Sequence, residues 1–145
     1  MLYLTICPSG GGKTTWSKEF ILTNPEVVRL STDECRAIIS GSEENQDCNP
    51  KVFSTLFITA EHLLRQGYDV LIDACSHTRK NRGEFINIAQ KCGVKVRAYI
   101  FNTPYEVCIA RNEARERKVP TNIIRKQFDR LELPTLDEVD EIFHV

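Results

Sequence analysis

Short apolar runs rich in β-branched residues alternate with segments whose apolar residues recur every three or four positions. This alternation predicts an α/β chain with a central parallel sheet and helical crossovers. Five strands are expected, at Leu2–Cys7, Val27–Ser31, Asp69–Ala74, Val94–Phe101 and near Glu141–Val145. The clearest helical pattern runs from Lys51 to Gln66, where Val52, Phe53, Leu56, Phe57, Ala60, Leu63 and Leu64 share one face and Gly67 ends the run. Further helices are expected at Thr15–Leu22, Thr32–Ser40, Arg79–Cys92, Pro104 to about Glu116, and Pro120–Leu131. Proline opens the last two, where its missing N–H costs nothing. The polar, turn-rich stretch from Ser40 to Pro50 reads as a loop.

At 145 residues the chain is long enough for one domain, residues 1–145, with a substantial core. Nineteen basic and twenty acidic residues leave a formal charge of -1, which excludes charge-driven coating of nucleic acid or membrane and leaves only local contacts with either. The apolar start Met1–Cys7 has no basic leader, so neither a signal peptide nor a membrane span is expected, and a cytoplasmic location follows. Six cysteines without a C-x-x-C pair predict reduced thiols rather than a zinc site or a disulfide scaffold.

Against this background one segment carries chemistry. Cys7-Pro8-Ser9-Gly10-Gly11-Gly12-Lys13-Thr14 follows an apolar strand and leads into a helix, which is the context a phosphate-binding loop requires. Glycines let the backbone approach a triphosphate closely enough for several N–H groups to converge on it. Ser9 to Thr15 would then cradle the phosphates of ATP or another nucleoside triphosphate. Lys13 supplies a point charge on the β- and γ-phosphates and Thr14 a hydroxyl for Mg2+. The spacing departs from G-x-x-x-x-G-K-[ST] at Cys7, which stands where the first glycine belongs.

The carboxyl ends of parallel strands lie along one edge, so Ser31-Thr32-Asp33-Glu34-Cys35-Arg36 falls beside that loop. Asp33 and Arg36 are three apart on one helix face, suited to taking a hydroxyl proton and gripping an acceptor phosphate. Ser31 and Glu34 equally fit a capping box, so the acids at this helix start also have an architectural explanation. Asp73 closes the third strand at the same edge and suits a water-mediated Mg2+ contact. Arg79, Lys80 and Arg82 open a helix where cations are unfavourable, as an anion site or a solvated face. Arg111 and Arg115, four apart, are expected to share a face near a helix end, either as a mobile lid over a transferring phosphoryl group or as ordinary surface charges.

Taken together, these residues make the chain resemble the kinase domain of polynucleotide 5'-hydroxyl kinases, the end-healing enzymes of phage and bacterial nucleic-acid repair. The resemblance runs nearly end to end. It rests on the phosphate loop followed by Thr15-Trp16, on Ser31–Arg36, Glu43-Glu44-Asn45-Gln46, Val70–Ala74, Ala110–Arg115 and Ile123-Ile124-Arg125-Lys126. It implies a P-loop kinase fold with a small arginine-bearing lid, using ATP and Mg2+ on 5'-OH DNA or RNA ends. By position, Lys13, Asp33, Arg36 and Arg115 would be catalytic, with Asp33 the general base. Ser9, Gly10, Gly11, Gly12, Lys13, Thr14, Thr15, Arg111 and Arg115 would hold the nucleotide, and Asp33, Arg36, Gln46 and Asp73 the acceptor. Thr14 would contact Mg2+ directly, Asp33 and Asp73 through water. Cys75 stands where many relatives have asparagine, which bears on the acceptor contact there. Two other functions share the phosphate loop: a kinase of a small alcohol such as a sugar acid, nucleoside or antibiotic, and an ATP-binding module without transfer.

Overall fold

The computed structural model describes residues 1–145. Five parallel strands, β1 (Leu2–Ile6), β2 (Val27–Ser31), β3 (Asp69–Asp73), β4 (Val96–Ile100) and β5 (Glu141–His144), form one sheet in the order β2-β3-β1-β4-β5. The helices are α1 (Lys13–Thr23), α2 (Thr32–Ser40), α3 (Asn49–Arg65), α4 (Arg79–Cys92), α5 (Tyr105–Ala114) and α6 (Thr121–Asp129). The sequence pattern thus located every strand and α-helix, with no end displaced by more than two residues. Two differences are structural. The polar stretch after Ser40 contains a 3-10 turn, Gln46–Cys48, and α3 begins at Asn49 with Pro50 in its first turn. Helix α5 stops at Ala114, short of Glu116.

Period-two alternation along β1 divides the core. Leu2, Leu4 and Ile6 join Val52, Leu56, Phe85 and Ile88 under α3 and α4, while Tyr3 and Cys7 face the aromatic group of Trp16, Phe20, Tyr99 and Phe101 around α1. Thr5 is the polar exception on β1 and is wholly buried. Its hydroxyl donates to the carbonyl of Ala74 at 2.8 Å and lies 3.2 Å from that of Ile72, fixing the end of β3 against β1. Because the chain leaves β1 toward β2 on one side and reaches β4 on the other, the crevice at the carboxyl ends of β1 and β3 is a topological switch point.

No helix is long and apolar enough to cross a membrane.

Candidate active site

The phosphate loop links β1 to α1 at that crevice. Gly10 has φ +83, and a side chain there would meet the Cys108 carbonyl oxygen at 2.5 Å, so both the backbone angle and the close approach require glycine. The amides of Gly10, Gly12, Thr14 and Thr15 donate to no backbone carbonyl. They stand at the positive end of α1, whose N-cap, Gly12, contributes no side chain. The departure at Cys7 is accommodated locally. Its sulfur fills the space a Gly11 side chain would take, only 2.2 Å from a Cβ built there, and the thiol donates to the Pro8 carbonyl at 3.1 Å. Burial pushes the Cys7 thiol up to about 12, keeping it neutral beneath the loop. Gly11→Ala is therefore expected to cost at least tenfold in nucleotide affinity, and adding Cys7→Gly to recover most of that loss. Isothermal titration with ADP checks both.

A cavity of about 730 Å3 opens in front of the loop, and its wall brings together Ser9, Lys13, Thr14, Asp33, Arg36 and Gln46 with Arg115. Burial disfavours the Lys13 charge, but the negative field around it, to which the Asp73 and Asp33 carboxylates contribute, outweighs this and holds the ammonium above its ordinary pKa. For Asp33, burial pushes the pKa up, while Arg117, Lys13 and a hydrogen bond from Arg36 overcome it and hold the carboxyl below its usual range.

Both Asp33 oxygens are occupied. Oδ1 accepts from Arg36 Nη1 at 2.7 Å and Oδ2 from Arg117 Nη2 at 3.0 Å. Arg36 also donates to Asn49 Oδ1 through Nε and Nη2 and to the Glu43 carbonyl through Nη1, leaving one of its five N–H groups unused. Gln46 accepts from Asn49 at 2.9 Å, so it reaches Arg36 through Asn49. Ser31 does cap α2, accepting from the Glu34 amide at 3.3 Å, and Glu34 turns its carboxylate to Arg29. The capping role and the Asp33–Arg36 pair coexist.

Asp73 is buried against Arg29, whose Nη2 and Nε lie 2.5 and 3.0 Å from Oδ2. Its Oδ1 is buried without a partner. An orphan carboxylate oxygen at the end of β3 fits a metal-bound water. There is no cluster of three or more His, Cys, Asp or Glu able to hold a metal by itself, so Mg2+ would be held by the nucleotide phosphates together with Thr14 and such water contacts.

On the lid, Arg111 sits in the last turn of α5 with Nη1 3.2 Å from the space over Gly12. Arg115 is the residue that ends α5, one turn beyond Arg111. It lies beyond the helix in extended conformation (φ -95, ψ 155), lines the cavity and has no carboxylate partner. The cause is Asn112, almost fully buried, whose amide donates to the Val119 carbonyl at 2.7 Å and accepts from the Val119 amide at 2.9 Å, folding the chain back. The second arginine on Asp33, after Arg36, is Arg117, which also reaches the Glu43 carboxylate at 3.5 Å.

Arg82 neither binds an anion nor faces solvent. It is wholly buried on Glu138, while Arg79 and Lys80 are exposed. Arg29, Asn49, Arg117 and Gln127 complete the site without having been singled out in the sequence. Only Arg117, in the basic run 111–118, carried a signal there.

A phosphate loop at the switch point of a parallel sheet, with a cationic lid opposite, defines the P-loop kinase class. The chain matches the model of the AAA domain family AAA_33 over residues 2–134 and belongs to that family. It is 23% identical over 137 residues to an L-seryl-tRNA(Sec) kinase of Methanococcus maripaludis, covering 92% of this chain and 53% of that protein. The fold is similar to a chain of the Pnkp1/Rnl/Hen1 RNA repair complex, with a TM-score of 0.79 at 19% identity, over 90% of this chain and 43% of that one. It is also similar to a gluconokinase of Sinorhizobium meliloti 1021, with a TM-score of 0.64 at 16% identity, over 99% and 81% of the two chains. The chain thus spans about half the length of the curated relative and less than half of the repair-complex chain.

Proposed function

We propose that this protein transfers the γ-phosphate of ATP to the 5'-hydroxyl end of DNA or RNA. The observation that carries the reading is the placement of Asp33, joined to Arg36, in one cavity wall with Lys13 and Arg115, two cations that form no direct ion pair. Free loop amides and Lys13 would hold the β- and γ-phosphates, with Arg111 over the loop and Arg115 on the transferring group. Thr14 would help the nucleotide hold Mg2+, whose charge would supply neutralisation of the negative charge that develops during transfer. The acceptor hydroxyl replaces Arg117 on Asp33 Oδ2 and gives its proton to that carboxylate. Its oxygen forms a bond to the γ-phosphorus as the bond to the β–γ bridging oxygen breaks, and ADP leaves. Arg36 holds the phosphate adjoining the acceptor nucleoside, with Gln46 fixing Asn49 behind it and Asp73 ordering water at the metal.

A second reading, a small-alcohol kinase, is favoured by the enclosure of the cavity. Arg117 bridges the lid to Asp33 and Glu43, and about 730 Å3 lies within the range of small-ligand sites. Labelled ATP offered to a 5'-OH oligonucleotide and to a panel of sugar acids and nucleosides separates the two. Preference for the oligonucleotide is expected; preference for a metabolite replaces the polynucleotide reading.

A further inference from the structure

Gln127 projects from α6 toward the phosphate loop, half-buried in the cavity wall. Its carboxamide is anchored at one end only. Oε1 accepts from the Ser9 amide at 2.8 Å. A backbone N–H can only donate, so the oxygen must face Ser9 and the NH2 group must face away. That group has two N–H donors and a single contact, the Cys75 sulfur, at 4.0 Å. A thioether or thiol sulfur is a weak acceptor, so both donors remain essentially unspent at the wall shared with Lys13, Thr14 and Asp33. The backbone that carries Gln127 is itself fixed. Ile124, one turn earlier, is wholly buried, and Phe128 meets the ring of Tyr105 edge-on at 5.3 Å.

We propose that Gln127 is a further catalytic residue, its NH2 group donating to the γ-phosphoryl oxygens of a bound nucleoside triphosphate while the Ser9 amide holds its other end. An oriented neutral donor costs no reorganisation when negative charge gathers on the transferring group, and it adds to Lys13 and Arg115 without the desolvation cost of another charge. The inference rests on the phosphoryl-donor side of the proposed function and not on the identity of the acceptor. Gln127 ties α6 to the loop itself, so the donor is in place only when α6 is seated.

Two variants separate this from a clasp that merely ties α6 to the loop. Gln127→Glu keeps an oxygen for the Ser9 amide but replaces the NH2 group with a second oxygen bearing charge. Gln127→Met keeps the length and removes both polar ends. Isothermal titration with Mg-ADP and with the Mg complex of the β,γ-imido analogue of ATP needs no acceptor and no turnover. The expected result is a loss of about tenfold for the analogue in Gln127→Met and more in Gln127→Glu, with ADP affinity within about twofold of the parent in both. Equal losses for the two nucleotides, or no loss for either, would leave Gln127 as a clasp and overturn the proposal. Failure of the parent protein to bind either nucleotide would overturn it together with the phosphoryl-donor reading, whereas failure to phosphorylate oligonucleotides alone touches only the acceptor.

Discussion

Asp33→Asn is expected to lower the turnover number by a factor of about 10² to 10⁴ while leaving ATP affinity within about threefold of the parent. The amide can still accept from Arg36 with its oxygen, so the α2 start and the cavity keep their shape. What disappears is the carboxylate that takes the hydroxyl proton, and with it the charge that offsets Lys13, Arg36 and Arg117. Excess positive charge in the cavity favours the polyanionic donor, so any change in ATP affinity should be toward tighter binding. Single-turnover transfer kinetics with a parallel ATP titration checks both halves. Transfer at the parent rate would remove Asp33 from the role of base.

Arg82→Met should have the largest effect on stability, roughly 3 to 5 kcal/mol and about 10 °C in melting temperature. The guanidinium grips Glu138 with two parallel bonds, Nε to Oε1 at 2.8 Å and Nη2 to Oε2 at 3.0 Å. Its Nη1 also donates to the carbonyls of Ser76 and Glu132, at 3.0 and 2.7 Å. Arg82 therefore joins the start of α4, the loop after β3 and the segment before β5. Removing it strands the Glu138 carboxylate in a site where its side chain is 6% exposed. The double variant Arg82→Met, Glu138→Leu removes both charges and should recover a large part of the loss, since a buried ion pair is costly to break and inexpensive to replace whole. Thermal unfolding of the three proteins gives the comparison. A single variant within about 1 kcal/mol of the parent would mean the pair adds little to stability.

The same residue shows where reading the sequence stopped. Three cations at a helix start suggested an anion site or a solvated face, because the partner, Glu138, lies 56 residues away and no local pattern announces it. Strand and helix positions were legible because they follow from periods of two and 3.6 within short windows. So was the opposition of the phosphate loop to Asp33 and Arg36, which parallel strand order along one edge dictates. The lid was not. Helix α5 was expected to run to about Glu116, but it ends at Ala114, and the pairing of Asn112 with Val119 folds the chain back there. That turn carries Arg117 onto Asp33, a contact no local pattern announces. Arg29 was hidden for a related reason: its union with Asp73 needs the β2–β3 register, which sets Ser31 beside Asp73. Gln127 needed the docking of α6 on the loop.

The most direct measurement is transfer of label from γ-labelled ATP, with Mg2+, to a 5'-OH oligonucleotide, followed by digestion to nucleotides. The account predicts label on the 5'-terminal nucleotide alone, released by phosphatase, with no incorporation when the oligonucleotide already carries a 5'-phosphate. An unlabelled oligonucleotide at every length tried, DNA and RNA alike, under conditions where a small alcohol is phosphorylated, would contradict it.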